Sequence, residues 1–284
     1  MYGRAVALGA GTVLNALSTG VGSAFAIDAE TTATVELDDS ETVTGTVAED
    51  GDADTRLIER CVELAIEAYG DGDATYGGSV RTESAVPMAA GLKSSSAAAN
   101  ATVLATADAL GADPEQLEAC RLGVEAAHDV GVTVTGAFDD ASASMLGGVT
   151  VTDNDTDELL AREEVEWDVL VWTPTERAYS ADADVERCAN VASMAELVAD
   201  LALDGRYAEA MTVNGLAFSA ALGFSAEPAI EAMPHVAGVS LSGTGPSVVA
   251  VGDDEGLDAV QKRWDERSGR TWRTTTRTDG ARIL

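Results

Sequence analysis

The apolar positions of this chain change period several times, and each change marks a new element. Residues 5–8 and 24–37 read as strands, the second rich in Thr and Val with polar residues alternating. A further strand is expected at 41–47, followed by an acidic loop from Glu49 to Asp54. Between residues 55 and 69 the spacing of Leu57, Ile58, Val62, Leu64, Ala65 and Ala68 is helical. Residues 76–83 return to a strand pattern, and Pro87, which has no N–H to donate, ends regular pairing. The stretch after Gly91 becomes an Ala-rich helix over residues 95–110. Asp113 as cap and Pro114 at the first helical position then start a helix that runs to His128. A Val/Thr segment, the run from Gly136 to Ala141 and a Gly147-Gly148 turn lead into a strand at 149–152.

Residues 153–164, rich in Asp, Asn and Glu, read as a loop and as the boundary between domains at 1–160 and 161–284. Beyond it the pattern predicts a strand at 167–173, helices at 185–204 and 206–222, and a strand at 236–241. A Gly-rich turn follows, then a strand at 247–251, a helix at 255–267 and a strand at 270–277. This mixture of strands and helices implies an α+β fold, with no internal repeat.

Composition narrows the classes of function. The chain of 284 residues carries 49 acidic against 17 basic residues, a formal net charge of −32. Such a surface repels phosphate backbones, so nucleic acid is excluded as a partner. The acids are dispersed through patterned segments, and the lysines are Lys93 and Lys262 alone. That balance resembles proteins of salt-accumulating cytoplasm, where concentrated salt screens the self-repulsion. Cys61, Cys120 and Cys188 are odd in number and widely spaced, which fits a reducing, cytoplasmic setting. No apolar run approaches the ~20 residues that span a bilayer. Nothing in the composition fixes an oligomeric state.

Three glycine-bearing segments are candidates for chemistry. Gly9-Ala-Gly11 begins like a dinucleotide fingerprint and Asp28 stands at a suitable distance, but no third Gly follows. The segment from Pro87 through Gly91, Leu92, Lys93, Ser94, Ser95 and Ser96 lies between a strand and the Ala-rich helix. First-turn N–H groups have no intrahelical partner and the helix dipole favours negative charge, so this start can bind an anion. The three serines add hydroxyls for phosphate oxygens or a metal ion, and one of the two lysines falls inside the loop. Read blandly, it is a serine-capped helix after a turn, and it does not satisfy the Walker A spacing. Ser242-Gly243-Thr244-Gly245-Pro246-Ser247, between two apolar strands, is either a tight hairpin or a loop able to close on a ligand.

Asp139 and Asp140 sit among small uncharged residues, where a carboxylate can orient or deprotonate a hydroxyl; an acidic pair is also a common helix cap. Glu125 and Asp129 are one helical turn apart and could share a ligand or metal, with His128 between them as a structural residue.

Taken together, these segments resemble the GHMP kinase family. Pro-x-x-x-Gly-Leu-x-Ser-Ser before an Ala-rich helix is similar to its ATP phosphate loop, and Ser242–Ser247 to its C-terminal glycine-rich motif. Phe138-Asp139-Asp140-Ala141 resembles the segment that carries the catalytic Asp of the mevalonate kinase branch. The runs from Gly9 to Gly20, from Gly91 to Ser96 and from Thr133 to Ala141 look most like the archaeal shikimate kinase branch. Ala89 stands where the family often has Gly, and Lys93 replaces the Gly before the serines.

The resemblance implies an N-terminal domain like ribosomal protein S5 domain 2 and a ferredoxin-like C-terminal domain, with ATP and Mg²⁺ in the cleft between them. Pro87, Ala89, Ala90, Gly91, Leu92, Lys93, Ser94, Ser95, Ser96 and Ala97 would form the ATP loop, closed by Gly243, Thr244 and Gly245. Ser95 matches the Mg²⁺-linked serine, with Glu125 or Asp129 completing the metal site. Asp139 would meet the acceptor hydroxyl and Lys93 would offset phosphoryl charge. Asn15, Thr135, Gly136, Asp139 and Asp140 would line the acceptor pocket. The implied reaction is phosphorylation of the shikimate 3-hydroxyl by ATP; homoserine or mevalonate as acceptor, or a silent metabolite sensor, are the other readings. A carboxylate acceptor calls for an Arg fork, and Arg4, Arg81 and Arg177 are the candidates.

Overall fold

The computed structural model describes residues 1–72, 74–133, 137–175 and 184–284. Its first sheet is organised by two long strands, β1 (Tyr2–Leu14) and β2 (Val21–Asp38), which pair antiparallel from Tyr2 opposite Glu36 to Leu14 opposite Ser23. β3 (Val43–Val47) leads through α1 (Arg56–Tyr69) to β4 (Gly77–Ser84), which lies parallel to β3 and antiparallel to the later half of β2. Three helices follow: α2 (Ser94–Leu110), α3 (Gln116–Val130) and α4 (Phe138–Leu146). β5 (Val149–Asp153) pairs with the earlier half of β2, and β6 (Glu158–Glu163) turns back along β5.

β1 is buried on both faces from Ala5 onward, which is why its sequence lacks the polar alternation of a half-exposed strand. α2 covers it from the first lobe, and α6, α7 and β8 of the second half, defined below, also pack on it. The Gly9-Ala-Gly11 run that began like a dinucleotide fingerprint is therefore the middle of a strand. A side chain at Gly11 would meet the Phe25 ring at 2.4 Å, so the glycine there serves packing.

The second half runs β7 (Asp168–Thr173), then α5 (Val185–Cys188), a 3₁₀ turn and α6 (Ala192–Leu203), α7 (Tyr207–Leu222) and α8 (Glu227–Ala232). It continues with β8 (Gly238–Leu241), β9 (Val248–Gly252), α9 (Asp254–Trp264) and β10 (Arg270–Thr275). Its strands lie in the order β10-β7-β9-β8, every neighbour antiparallel. That is the β-α-β-β-α-β ferredoxin-like arrangement, so the α+β, two-lobed expectation is borne out. β11 (Arg282–Ile283) returns to pair with β1. Sheet membership thus changes between Glu163 and Asp168, and the last residues rejoin the first sheet. One apolar core is common to both lobes, joining Val13, Leu14, Phe25 and Ile27 to Val169, Phe218 and Trp264.

Several local expectations are corrected. The α3 cap is Glu115, whose carboxylate accepts from the Glu118 N–H, and not Asp113. α2 ends in a left-handed Gly111 with the Ala112 N–H returning to the Ala107 carbonyl, so residues 111–112 close one helix before the next begins. α4 was not anticipated, because its Ala and Ser positions carry little apolar contrast. β6, expected as loop, is a polar edge strand, and α8 and β11 are too short to set a period. No helix of the described residues is long and apolar enough to cross a membrane.

Candidate active site

The Ala-rich composition of α2 lets it lie directly on β1 and β2, and its N-terminus opens toward the seam between the lobes. Lys93 occupies the cap position with left-handed backbone angles of φ 65° and ψ 32°, and it makes no side-chain bond to the first-turn N–H groups. Those donors remain available to an anion. The preceding loop is held by main-chain bonds: the Leu92 carbonyl accepts from Ala10 N–H at 3.1 Å and the Ala90 carbonyl from Ser247 N–H at 3.3 Å.

The β8–β9 turn sits on this loop. Ser242 Oγ donates to the Gly91 carbonyl at 2.8 Å, and a side chain at Gly91, whose φ is 76°, would strike the Ser242 carbonyl at 2.1 Å. Only glycine permits that approach. Gly243 is tied in turn to the first lobe. Its N–H donates to Thr12 Oγ1 at 2.7 Å and its carbonyl accepts from Asn15 Nδ2 at 2.8 Å, while Asn15 N–H donates to Asn214 Oδ1 on α7 at 2.9 Å.

Asp139, the second residue of α4, is 4 % exposed and reaches the same place from the other side. Asn100 on α2 donates to the Ala141 carbonyl at 2.9 Å, which locks α4 against α2. Lys93 Nζ lies 2.7 Å from Asp140 Oδ1. Burial, reinforced by the neighbouring Asp140 charge, pushes the Asp139 carboxyl up to about 7; Lys93 and a bond from Asn154 oppose that rise. A carboxylate poised there can accept a proton near neutral pH.

A cavity of about 730 Å³ joins these parts. Asn15, Ala89, Gly91, Lys93, Ser94, Ser95, Asp139, Asp140, Gly243 and Thr244 all line it. Ser96 faces a small adjoining recess of about 40 Å³. Pro87, Ala90, Leu92, Ala97 and Gly245 do not line the cavity; Ala90, Leu92, Ala97 and Gly245 are buried behind it and shape the loops. Thr135, Gly136 and Arg177 lie outside the described residues.

Other expected residues are placed elsewhere. Neither Glu125 nor Asp129 lines the cavity, and Asp129 is held by Arg60 Nε at 2.7 Å on the outer face of α1 and α3. Arg81 pairs with Glu83 on the exposed face of β4, whereas the alternating Thr82 and Ser84 face the cavity. Arg4 is exposed near the start of β1, away from the cavity. Among the described residues, the basic side chains that line the cavity are Lys93 and Arg56, and Arg56 pairs with Asp54.

Sequence reasoning missed Asn154, Gly22, Asn214 and Thr12. Thr12 stands in the Gly9–Gly20 run but was given no role there, and the other three stand in no motif; each becomes visible only through what the fold brings beside it. It also treated the acidic stretch 49–54 as a plain loop, although Glu49, Asp50, Asp52 and Asp54 form one rim of the cavity.

The GHMP kinases N terminal domain matches residues 56–148. A shikimate kinase of Halobacterium salinarum is 64% identical over 99% of both chains. A shikimate kinase of Methanothrix thermoacetophila is 51% identical over 100% of this chain and 96% of its own. Among solved structures, the mevalonate kinase of Methanococcus jannaschii superposes with a TM-score of 0.77 at 13% identity, covering 98% of both chains. With identity of this extent over the whole chain, it belongs to the GHMP kinase family of ATP-dependent small-molecule kinases, alongside the archaeal proteins named shikimate kinase.

Proposed function

We propose that this chain phosphorylates the 3-hydroxyl of shikimate with ATP, giving shikimate 3-phosphate and ADP. The observation that carries the reading is the meeting, in one cavity, of an anion-binding helix start with Lys93 and a buried carboxylate, Asp139. The relatives named shikimate kinase supply the acceptor.

Phosphoryl transfer is largely dissociative, so the protein's contribution is position and charge. Bound Mg·ATP supplies the γ-phosphoryl group. The first-turn N–H groups of α2, with the Ser94 and Ser95 hydroxyls, hold the phosphates, and the Gly243–Gly245 turn closes over them. Lys93 keeps a fixed positive charge beside the transferring group. Asp139 takes the proton of the acceptor hydroxyl as its oxygen bonds to phosphorus and the bond to ADP breaks. Ser95 is the protein oxygen that fits Mg²⁺, an ion commonly held by few protein oxygens and by the substrate's phosphates. Glu125 and Asp129, outside the cavity, are not part of this site.

The reaction belongs in a reducing cytoplasm, which the three free, buried cysteines favour, and the net charge of −32 disfavours nucleic acid. The test is ADP release in molar KCl with Mg·ATP and, in turn, shikimate, homoserine, mevalonate and galactose. Turnover with shikimate alone is expected. Turnover with a different acceptor alone would overturn the substrate.

A further inference from the structure

We propose that Asn154 is a positioning residue for phosphoryl transfer: its carboxamide clamps Asp139 at both ends and fixes which part of that carboxylate is left to meet the acceptor hydroxyl. Asn154 follows β5 and is 7% exposed. Its Nδ2 donates to Asp139 Oδ1 at 2.7 Å, and its Oδ1 accepts from the Asp139 N–H at 3.1 Å. Thr152 Oγ1 donates to the same amide oxygen at 2.8 Å. These partners settle the orientation of the amide, because a flipped carboxamide would set donor against donor at the Asp139 N–H.

The clamp has a reason to exist. An Asp in the first turn of a helix can fold back on the free N–H groups, and the Asp140 N–H already approaches the Asp139 carboxylate. Ala137, at the cap, offers no side-chain bond to compete for those donors. Asn154 holds the side chain in place. β2 closes the opposite wall at Gly22, where any side chain would lie 2.6 Å from the Asp139 carboxylate. Gly22 and Thr152 are register partners, so one strand pair builds both walls.

The same bond favours the ionised form. The charged groups facing Asp139 are Asp140 on its own helix and Lys93 from α2; β2 contributes Gly22 and β5 leads to Asn154, both neutral. Among these described groups, Asn154 is the one whose side chain both favours the charge and sets the direction of the carboxylate.

This inference rests on the reading of Asp139 as the proton acceptor. Asn154→Ala and the isosteric Asn154→Asp are compared with the parent for kcat, KM, pH profile and thermal unfolding in molar KCl. Both should lower kcat by about 10- to 100-fold, keep KM for ATP within about threefold and move the acid limb of kcat up by about one pH unit. Asn154→Asp should be the harsher, since it sets a carboxylate against another across a 2.7 Å contact. Unchanged kcat and an unchanged acid limb in either folded variant would overturn the proposal. So would a loss of kcat matched by an equal loss of ATP binding with no movement of the limb. Asp139→Ala separates the two readings. Near-parent turnover there overturns the role of Asp139, whereas its loss beside fully active Asn154 variants overturns the clamp alone.

Discussion

Lys93 Nζ and Asp140 Oδ1 stand 2.7 Å apart, 6% and 17% exposed, and they join the cap of α2 to the first turn of α4. This pair ties the start of α2, whose first-turn N–H groups face the cavity side, to the helix that presents Asp139. A buried ion pair adds little net stability against apolar replacements, but removing one partner strands the other. Its value here is positional: it keeps a cation beside the carboxylate and the phosphate loop at once.

Lys93→Met should therefore lower kcat by about 100-fold or more, as the loss of a charge-stabilising donor does. Because Asp140 keeps some contact with solvent, the stability cost should fall below the roughly 3 kcal/mol expected for a fully buried pair. A double-mutant cycle with Asp140→Asn, read by urea unfolding in molar KCl, should give a coupling of about 1 kcal/mol or more. Additivity would mean that the pair does not act as a unit.

Asp139 makes a prediction about stability with a definite sign. Its pKa rises from 3.8 to about 7 on folding, so the native state holds this proton more tightly than the unfolded chain. The contribution of the group is full below about pH 4 and is lost as pH rises through 7. Asp139→Asn removes that loss. The variant should equal the parent near pH 4 and exceed it above pH 7, by on the order of a few kcal/mol. Thermal unfolding at several pH values checks this, and a variant less stable than the parent at pH 8 would refute it. With Asp139 as the proposed proton acceptor, the acid limb of turnover is expected near neutral pH in the parent.

Gly91→Ala tests the seat of the β8–β9 turn on the phosphate loop. The new Cβ would lie 2.1 Å from the Ser242 carbonyl at a φ of 76°. A cost of about 1–3 kcal/mol is expected from the backbone conformation alone, with KM for ATP raised about tenfold or more. Gly51→Ala, where a Cβ meets nothing within 4 Å, is the control and should be silent.

The charge balance predicts dependence on salt. Arginines share acids at the surface, Arg60 with Glu63, Glu67 and Asp129, and Arg277 with Asp28, Glu30 and Asp279. Such exposed pairs contribute about 0–1 kcal/mol each, too little to offset the repulsion of a net charge of −32. Circular dichroism should show structure lost in dilute buffer and regained in about 1 M KCl, where the screening length is about 3 Å. Full stability in dilute buffer would contradict it.

The legible parts of this protein were those whose information is local. Alternation and helical period in the sequence placed β2, β4, α1, α2 and α7 nearly at their observed ends, and the order of elements in the second half implied its α+β class. The glycine-, serine- and lysine-bearing loop before α2 declared itself because a helix start needs those residue types to bind an anion. What the sequence could not decide was anything set by burial on two sides or by a partner far along the chain. Gly9 and Gly11 began like a dinucleotide fingerprint and are strand, since β1 is enclosed by helices of both lobes. Glu125 and Asp129 are one helical turn apart and could have shared a metal, but α3 turns them away from the cavity, toward solvent and Arg60. Asn154 lay in a stretch read as an acidic linker, and only the pairing of β5 with β2 carries it to Asp139. Local pattern fixes which backbone groups and side-chain types are available; the packing of sheets and helices decides which of them meet, because contact between residues hundreds of positions apart is a property of topology and not of spacing.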